Sequence, residues 1–253
     1  IIALSKYVSE CMDKEGNFKG LGYIIKTTMY CAVPTVLVMM QPDFGTAFVF
    51  ICIMVFIYFI GRISWGYILA AAGGLAVCMP LAYYFVLSDS QRERIDVFIN
   101  PESDLQNSGY NVAQSKIAIG SGQLTGKGFF SEGTLAQLRF VPERHTDFIF
   151  AGIVEGLGFV GGAIIICLFF ALIFRWIYIA MRTKDSFGTC LVVGVAGMFT
   201  AHVFENIGMT IGLMPVTGIP LPFISYGGSN LLTNLIGVGI VENVWMRRQS
   251  KKR

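Results

Sequence analysis

Charge is what this chain has least of. Asp, Glu, Lys and Arg make up 14% of its 253 residues, while 54% are apolar. A soluble domain carries about 25% charged residues. With a mean hydropathy of +0.63, there is too little polar surface to cover a water-facing globule. That excludes an ordinary soluble enzyme and makes several membrane spans the default. Histidine is scarce too: His145 and His202 lie in separate segments, which weighs against a His-based metal site. The six cysteines (Cys11, Cys31, Cys52, Cys78, Cys167 and Cys190) avoid the long polar stretch at 88–147. They show neither metal-ligand spacing nor a disulfide framework, and read as small apolar side chains within spans. No internal repeat is present. The net charge of +3 comes largely from the tail Arg247–Arg253, which speaks to topology, and no nucleic-acid partner is expected. The opening Ile-Ile-Ala-Leu-Ser-Lys has no Met, basic n-region or cleavage site. It is no signal peptide and reads as the end of a helix that starts upstream, so an N-terminally incomplete chain is expected.

What is present is a series of apolar runs at 20–41, 43–60, 65–87, 147–174, 188–211 and 226–245, with a partial span at 1–10. They predict an all-α, polytopic transmembrane helical bundle, taken as a single membrane domain over 1–253. Pro34 and Pro80 predict kinks. The run 147–174 exceeds what a bilayer requires, which predicts a tilted or projecting helix. Five Lys or Arg in the C-terminal tail place it in the cytoplasm. The loop 175–187, the turn at Arg62 and the segment 11–19 then fall on the same side. The uncharged link 212–225 and the loop 88–146, which has more acids than bases, fall outside.

That outer loop and the residue closing it gather about fourteen charged groups. Asp147 opens an apolar helix directly after the polar string. Its plain reading is a helix cap satisfying free N–H groups. Its functional reading is a general base tuned by apolar surface, Arg144 and His145. The cations Arg92, Arg94, Lys116, Lys127, Arg139 and Arg144 are either solvated loop charge or an anion site for phosphate or pyrophosphate. Gly120-Ser121-Gly122 and Gly126-Lys127-Gly128 could offer backbone N–H groups to an anion, or simply flexibility. The spacing is not that of a Walker A loop, and no Ser or Thr follows Lys127. Residues 110–119 predict a short interfacial or re-entrant helix. Asp43, in Gln41-Pro42-Asp43-Phe44-Gly45-Thr46, is placed to cap a helix. Glu155, Glu205 and Glu242 are acids inside spans, where such residues face a cavity or a partner. His202 and Glu205 share a helix face and read as a structural pair ahead of a metal site. Gly152-xxx-Gly156, Gly158-xxx-Gly162 and Gly208-xxx-Gly212 predict close helix packing. The link Met214–Ser229, with three prolines and no charge, cannot be helical throughout and would wall a groove beside the charged loop.

Four strings occur in order: Gln41-Pro42-Asp43-x-Gly45-Thr46, Gln114-Ser115-Lys116-Ile-Ala-Ile-Gly120-Ser121-Gly122, Pro142-Glu143-Arg144-His145-Thr146-Asp147-Phe148-Ile149-Phe150, and Gly218-Ile-Pro220-Leu-Pro222-Phe-Ile-Ser225-Tyr226-Gly227-Gly228-Ser229. Together they resemble the SEDS family (shape, elongation, division and sporulation) over essentially the whole chain. Lys116 leans towards its rod-shape branch over its division branch. The resemblance implies about ten helices and a bacterial peptidoglycan glycosyltransferase that polymerises lipid II at the outer face of the cytoplasmic membrane. It implies Asp147 as the essential acid, with Glu143, Arg144 and His145 beside it. Lys116, Lys127, Asp43, Ser225 and Tyr226 are the further candidates for the substrate site. Expected partners are lipid II, the nascent glycan strand, membrane lipids and a class B penicillin-binding protein, with a divalent cation (Mg or Mn) as the one candidate cofactor. Gly156 departs from the family, where many members carry a second acid. A lipid II transporter, or a non-catalytic scaffold for a transpeptidase, are the competing readings.

Overall fold

The computed structural model describes residues 1–12, 21–41, 43–61, 108–128 and 145–250, with isolated positions between 62 and 107. Seven helices are described: α1 Ile2–Cys11, α2 Leu21–Met39, α3 Phe44–Ile60, α4 Ser108–Ser121, α5 Ile149–Arg182, α6 Ser186–Ile211 and α7 Gly228–Ser250. No strand is found among the described residues. The architecture is all-α, as the apolar runs predict. α2, α5 and α6 are both long and apolar enough to cross a membrane, and α3 is a shorter apolar helix of 17 residues. α7 is long enough, but its Asn, Ser, Thr and Gly content together with Glu242, Arg247 and Arg248 keeps it out of that group. The expected span at 65–87 and the kink at Pro80 lie outside the described residues. α2 continues as helix through Pro34.

Contacts divide the chain into two compact units, one of Ile1–Arg92, Trp176–Met198 and Gly237–Arg253, the other of Glu93–Arg175 and Phe199–Ile236. In the first, α2 and α3 are tied within their apolar surface by Thr28 and Tyr58, whose hydroxyls lie 2.7 Å apart. Tyr7 of α1 stacks on Tyr30 of α2 at 5.4 Å. Asp43 caps α3: Thr46 donates its N–H to Oδ1 at 3.0 Å and its hydroxyl to Oδ2 at 2.7 Å. The plain reading of Asp43 is therefore the observed one. The link expected at 175–187 is only 183–185, because α5 runs on to Arg182. Asp185 then accepts from Gly188 N–H at 3.0 Å and starts α6.

The second unit has its core in Phe150, Val154, Phe169, Ile207 and Leu221, joined by Ile119 of α4 and Ile224 of the link. A smaller cluster of Val112 and Phe148 packs on Val216. The expected helix at 110–119 exists as α4, and its buried Ser115 donates to Thr210 O at 2.6 Å. The helix of the span expected to tilt or project, α5, is broken at Gly158, where φ is 72° and ψ is −173°. That backbone region is essentially open to glycine alone.

Candidate active site

The break in α5 opens two helical hydrogen bonds, those from Phe159 N–H to Glu155 O and from Val160 N–H to Gly156 O. All four freed groups are taken by the segment after α4. Phe159 and Val160 donate to Gln123 O (2.8 Å) and Leu124 O (3.2 Å), while Lys127 and Gly128 donate to Glu155 O (3.0 Å) and Gly156 O (3.0 Å). Such repair is what an apolar environment demands of a broken helix. Gly126 meets Gly156 and Gly158 backbone to backbone, with no room for a Cβ. Gly156 and Gly158, read from sequence as a helix-packing stripe, thus receive a loop. At the same break Glu155 is buried, with Lys127 Nζ 3.5 Å from Oε1 and the Ser121 hydroxyl donating at 3.4 Å. Lys127, one of the expected anion-binding cations, is engaged in this pair.

Asp147 stands two residues before α5, half-buried. Its main chain is held in an unusual way, since three successive carbonyls are each taken by a different donor. His145 O accepts from Tyr226 N–H at 2.9 Å. Thr146 O accepts from the Ser225 hydroxyl at 2.6 Å. Asp147 O accepts from the Asn206 carboxamide at 2.9 Å. Ser225 Oγ also accepts from Leu221 N–H at 2.7 Å, and Asn206 also donates to Ile219 O at 2.8 Å. The proline-rich link is thereby laid against the Asp147 segment. Gly218, at φ 77°, faces the carboxylate, and a Cβ there would stand 3.4 Å from Asp147 Oδ2.

The structure therefore brings together Asp147, His145, Ser225 and Tyr226. His145 and Tyr226 are exposed, and Ser225 is buried in its strut role. Lys116 is exposed on α4, its ammonium end lying over Gly212 at the C-terminal end of α6, where a cation is favoured by the helix dipole. Glu143 and Arg144 lie outside the described residues, as does Pro42. Asp43 belongs to the other unit. The pair expected between His202 and Glu205 is not seen: the His202 ring bonds the Pro220 carbonyl, and its Nδ1 is buried without a hydrogen-bond partner. Sequence reasoning missed Asn206. Its signal was present as an amide inside an apolar span, beside Glu205.

The FtsW/RodA/SpoVE cell cycle protein family matches residues 1–250. The chain belongs to that family. It is 44% identical over 217 residues to the peptidoglycan glycosyltransferase MrdB of Escherichia coli K12, covering 86% of this chain and 58% of that protein. It is 38% identical over 256 residues to the stage V sporulation protein E of Bacillus subtilis, covering 96% and 65%. The chain thus spans a little over half the length of MrdB. Among solved structures, a peptidoglycan synthase complex described as coordinating polymerization and crosslinking matches with TM-score 0.77 and 28% identity, over 97% of this chain and 67% of that one. A crystal structure of the rod shape determining protein RodA of Thermus thermophilus, in an Asp-to-Ala mutant form, matches with TM-score 0.65 at 23% identity, over 98% and 64%; it shows the fold alone. The FtsW/RodA/SpoVE assignment, with α2, α5 and α6, makes this a membrane protein.

Proposed function

We propose that the chain is the working part of a peptidoglycan glycosyltransferase that polymerises lipid II during cell elongation, with Asp147 as general base. The observation that carries this reading is the immobilised main chain under a half-buried carboxylate, in a chain whose relatives are named peptidoglycan glycosyltransferases. A general base gains from a fixed position within hydrogen-bond reach of the proton it takes. Three held carbonyls supply that fixity, and the bare Cα of Gly218 leaves space beside Oδ2. The acceptor sugar's 4-hydroxyl loses its proton to Asp147 as its oxygen attacks the donor's anomeric carbon. The bond to the lipid pyrophosphate breaks in the same inverting displacement, with no sugar attached to the protein. The leaving pyrophosphate needs opposing charge. Lys116 and Arg144 are the cations proposed for it, while the Lys127 charge is shared with Glu155.

Among the described residues no three of His, Cys, Asp or Glu converge. A divalent cation, Mg or Mn, stays a proposed cofactor for the leaving pyrophosphate, and no step here runs through it. The same reading places the large loop 88–146 outside the cytoplasmic membrane and the C-terminus in the cytoplasm. A class B penicillin-binding protein is the proposed partner, supported by the likeness to a synthase complex. The outward side of α5, with Phe159, Ile164 and Leu168 exposed, is open to lipid or to a partner's membrane helix.

The test is glycan synthesis from lipid II by the full-length protein with its transpeptidase, comparing wild type with Asp147→Asn at matched folding. Glycan from wild type and a loss of roughly a hundredfold or more in the variant is expected, because the chemical step loses its base. A folded Asp147→Asn protein with normal turnover sinks the proposal. Movement of labelled lipid II between leaflets without any polymer would point to transport instead.

A further inference from the structure

We propose that Asn206 is the positioning residue for Asp147, setting the gap between its carboxylate and the Gly218 wall through which the acceptor hydroxyl enters; this rests on the glycosyltransferase reading. Asn206 lies on α6 and is completely buried. Its one carboxamide nitrogen donates to Asp147 O at 2.9 Å and to Ile219 O at 2.8 Å. The first carbonyl belongs to the general base itself, the second to the residue after Gly218. A single planar group thus spans the two peptides that flank the reacting carboxylate. Both N–H bonds are committed, so the carboxamide cannot rotate without losing one wall of the site. Water cannot stand in for it, because the position is sealed from solvent.

The amide oxygen strengthens the argument. Asn206 Oδ1 is buried and makes no hydrogen bond. Leaving an acceptor unmatched in the interior works against stability, and a residue serving only to fill space would carry no such acceptor. What Asn offers in return is two donors on one rigid atom at this point. The neighbouring strut differs in kind: Ser225 ties Thr146 to Leu221, one residue away from Asp147 on the chain. The Asn206 bonds act on the Asp147 peptide and on the link beside Gly218 at once, so their loss should be felt as misplacement of the carboxylate.

The test uses the full-length protein with its partner and lipid II, in wild type, Asn206→Ser and Asn206→Ala. Ser keeps one donor and Ala none. Turnover is expected to fall roughly 10- to 100-fold in Asn206→Ala, as small misplacements of reacting groups do, with an intermediate loss in Asn206→Ser. KM for lipid II should stay within about threefold of wild type, because the interaction is made with the base and not with the substrate. Hydrogen exchange supplies a readout independent of turnover: peptides covering 145–151 and 215–222 should exchange faster in Asn206→Ala while α2 and α3 are unchanged. A folded Asn206→Ala protein with wild-type kcat overturns the proposal, and so does a change confined to KM. If Asn206→Ala does not fold, Asn206→Ser decides by the same criteria. Should wild type itself make no glycan, the functional reading fails separately. Exchange then still judges the tie, with unaltered exchange in both peptides overturning it.

Discussion

Glu155 sits at 1% exposure with the Lys127 ammonium 3.5 Å from its Oε1. A carboxylate taken that far from water needs compensating charge or donors. Removing Lys127 should therefore cost more than removing the acid. Lys127→Met is expected to destabilise the protein by roughly 1–3 kcal/mol, the range for a buried polar group that loses a partner; the upper values for buried pairs do not apply because Lys127 is well exposed. Glu155→Gln should cost less, and Lys127→Met with Glu155→Gln should recover part of the loss. Thermal unfolding of the four proteins as a double-mutant cycle measures the coupling, and strict additivity would mean the pair contributes nothing. From sequence, Glu155 was legible as an unusual intramembrane acid and Lys127 as a loop cation. Their meeting was not, because the 27 residues between them carry no local pattern that sets their distance.

The break in α5 is the element that separates the part of the chain holding Asp147 from the long apolar helix after it. No proline marks it. Gly158 looked like one member of a small-residue stripe, and glycine within an apolar run has two uses, close packing or a conformation closed to other residues. The choice between them is made by the loop 122–128, which fills the gap. Two substitutions separate the readings. Gly158→Ala should cost about 1–3 kcal/mol from the forced backbone alone, with the overlap on Leu124 O added. Gly152→Ala, on the same helix, meets nothing within 4 Å and should be neutral or stabilising by roughly 0.5–1 kcal/mol, since Ala is the better helix former. Thermal midpoints of the two variants in detergent check this, and equal effects would argue against the break as a requirement. Elsewhere the elements follow the pattern: Asp43 caps α3, and the uncharged link 212–227 is irregular, as its three prolines demand.

For the molecule as a whole, low charge and long apolar runs already require a membrane, and the positive tail is the ground for the proposed orientation. The orientation predicts that a phosphatase reporter inserted within 129–144 is active outside the cytoplasm, while the same reporter after Arg253 is silent. The reverse pattern would invert the proposed topology and put Asp147 on the wrong side for its substrate. Composition, hydropathy and four motif strings were enough to determine the helical membrane class and the family, and to nominate Asp147 as the candidate acid, because those properties are read from local order along the chain. What surrounds that acid is set by long-range packing. Asn206, Ser225 and Tyr226 each reach a carbonyl between 59 and 81 residues away along the chain, and no periodicity or spacing encodes a hydrogen bond across such a distance. It exists because buried carbonyls near an apolar helix must find donors, and the packing of α4, α6 and the proline-rich link around α5 determines which donors are within reach.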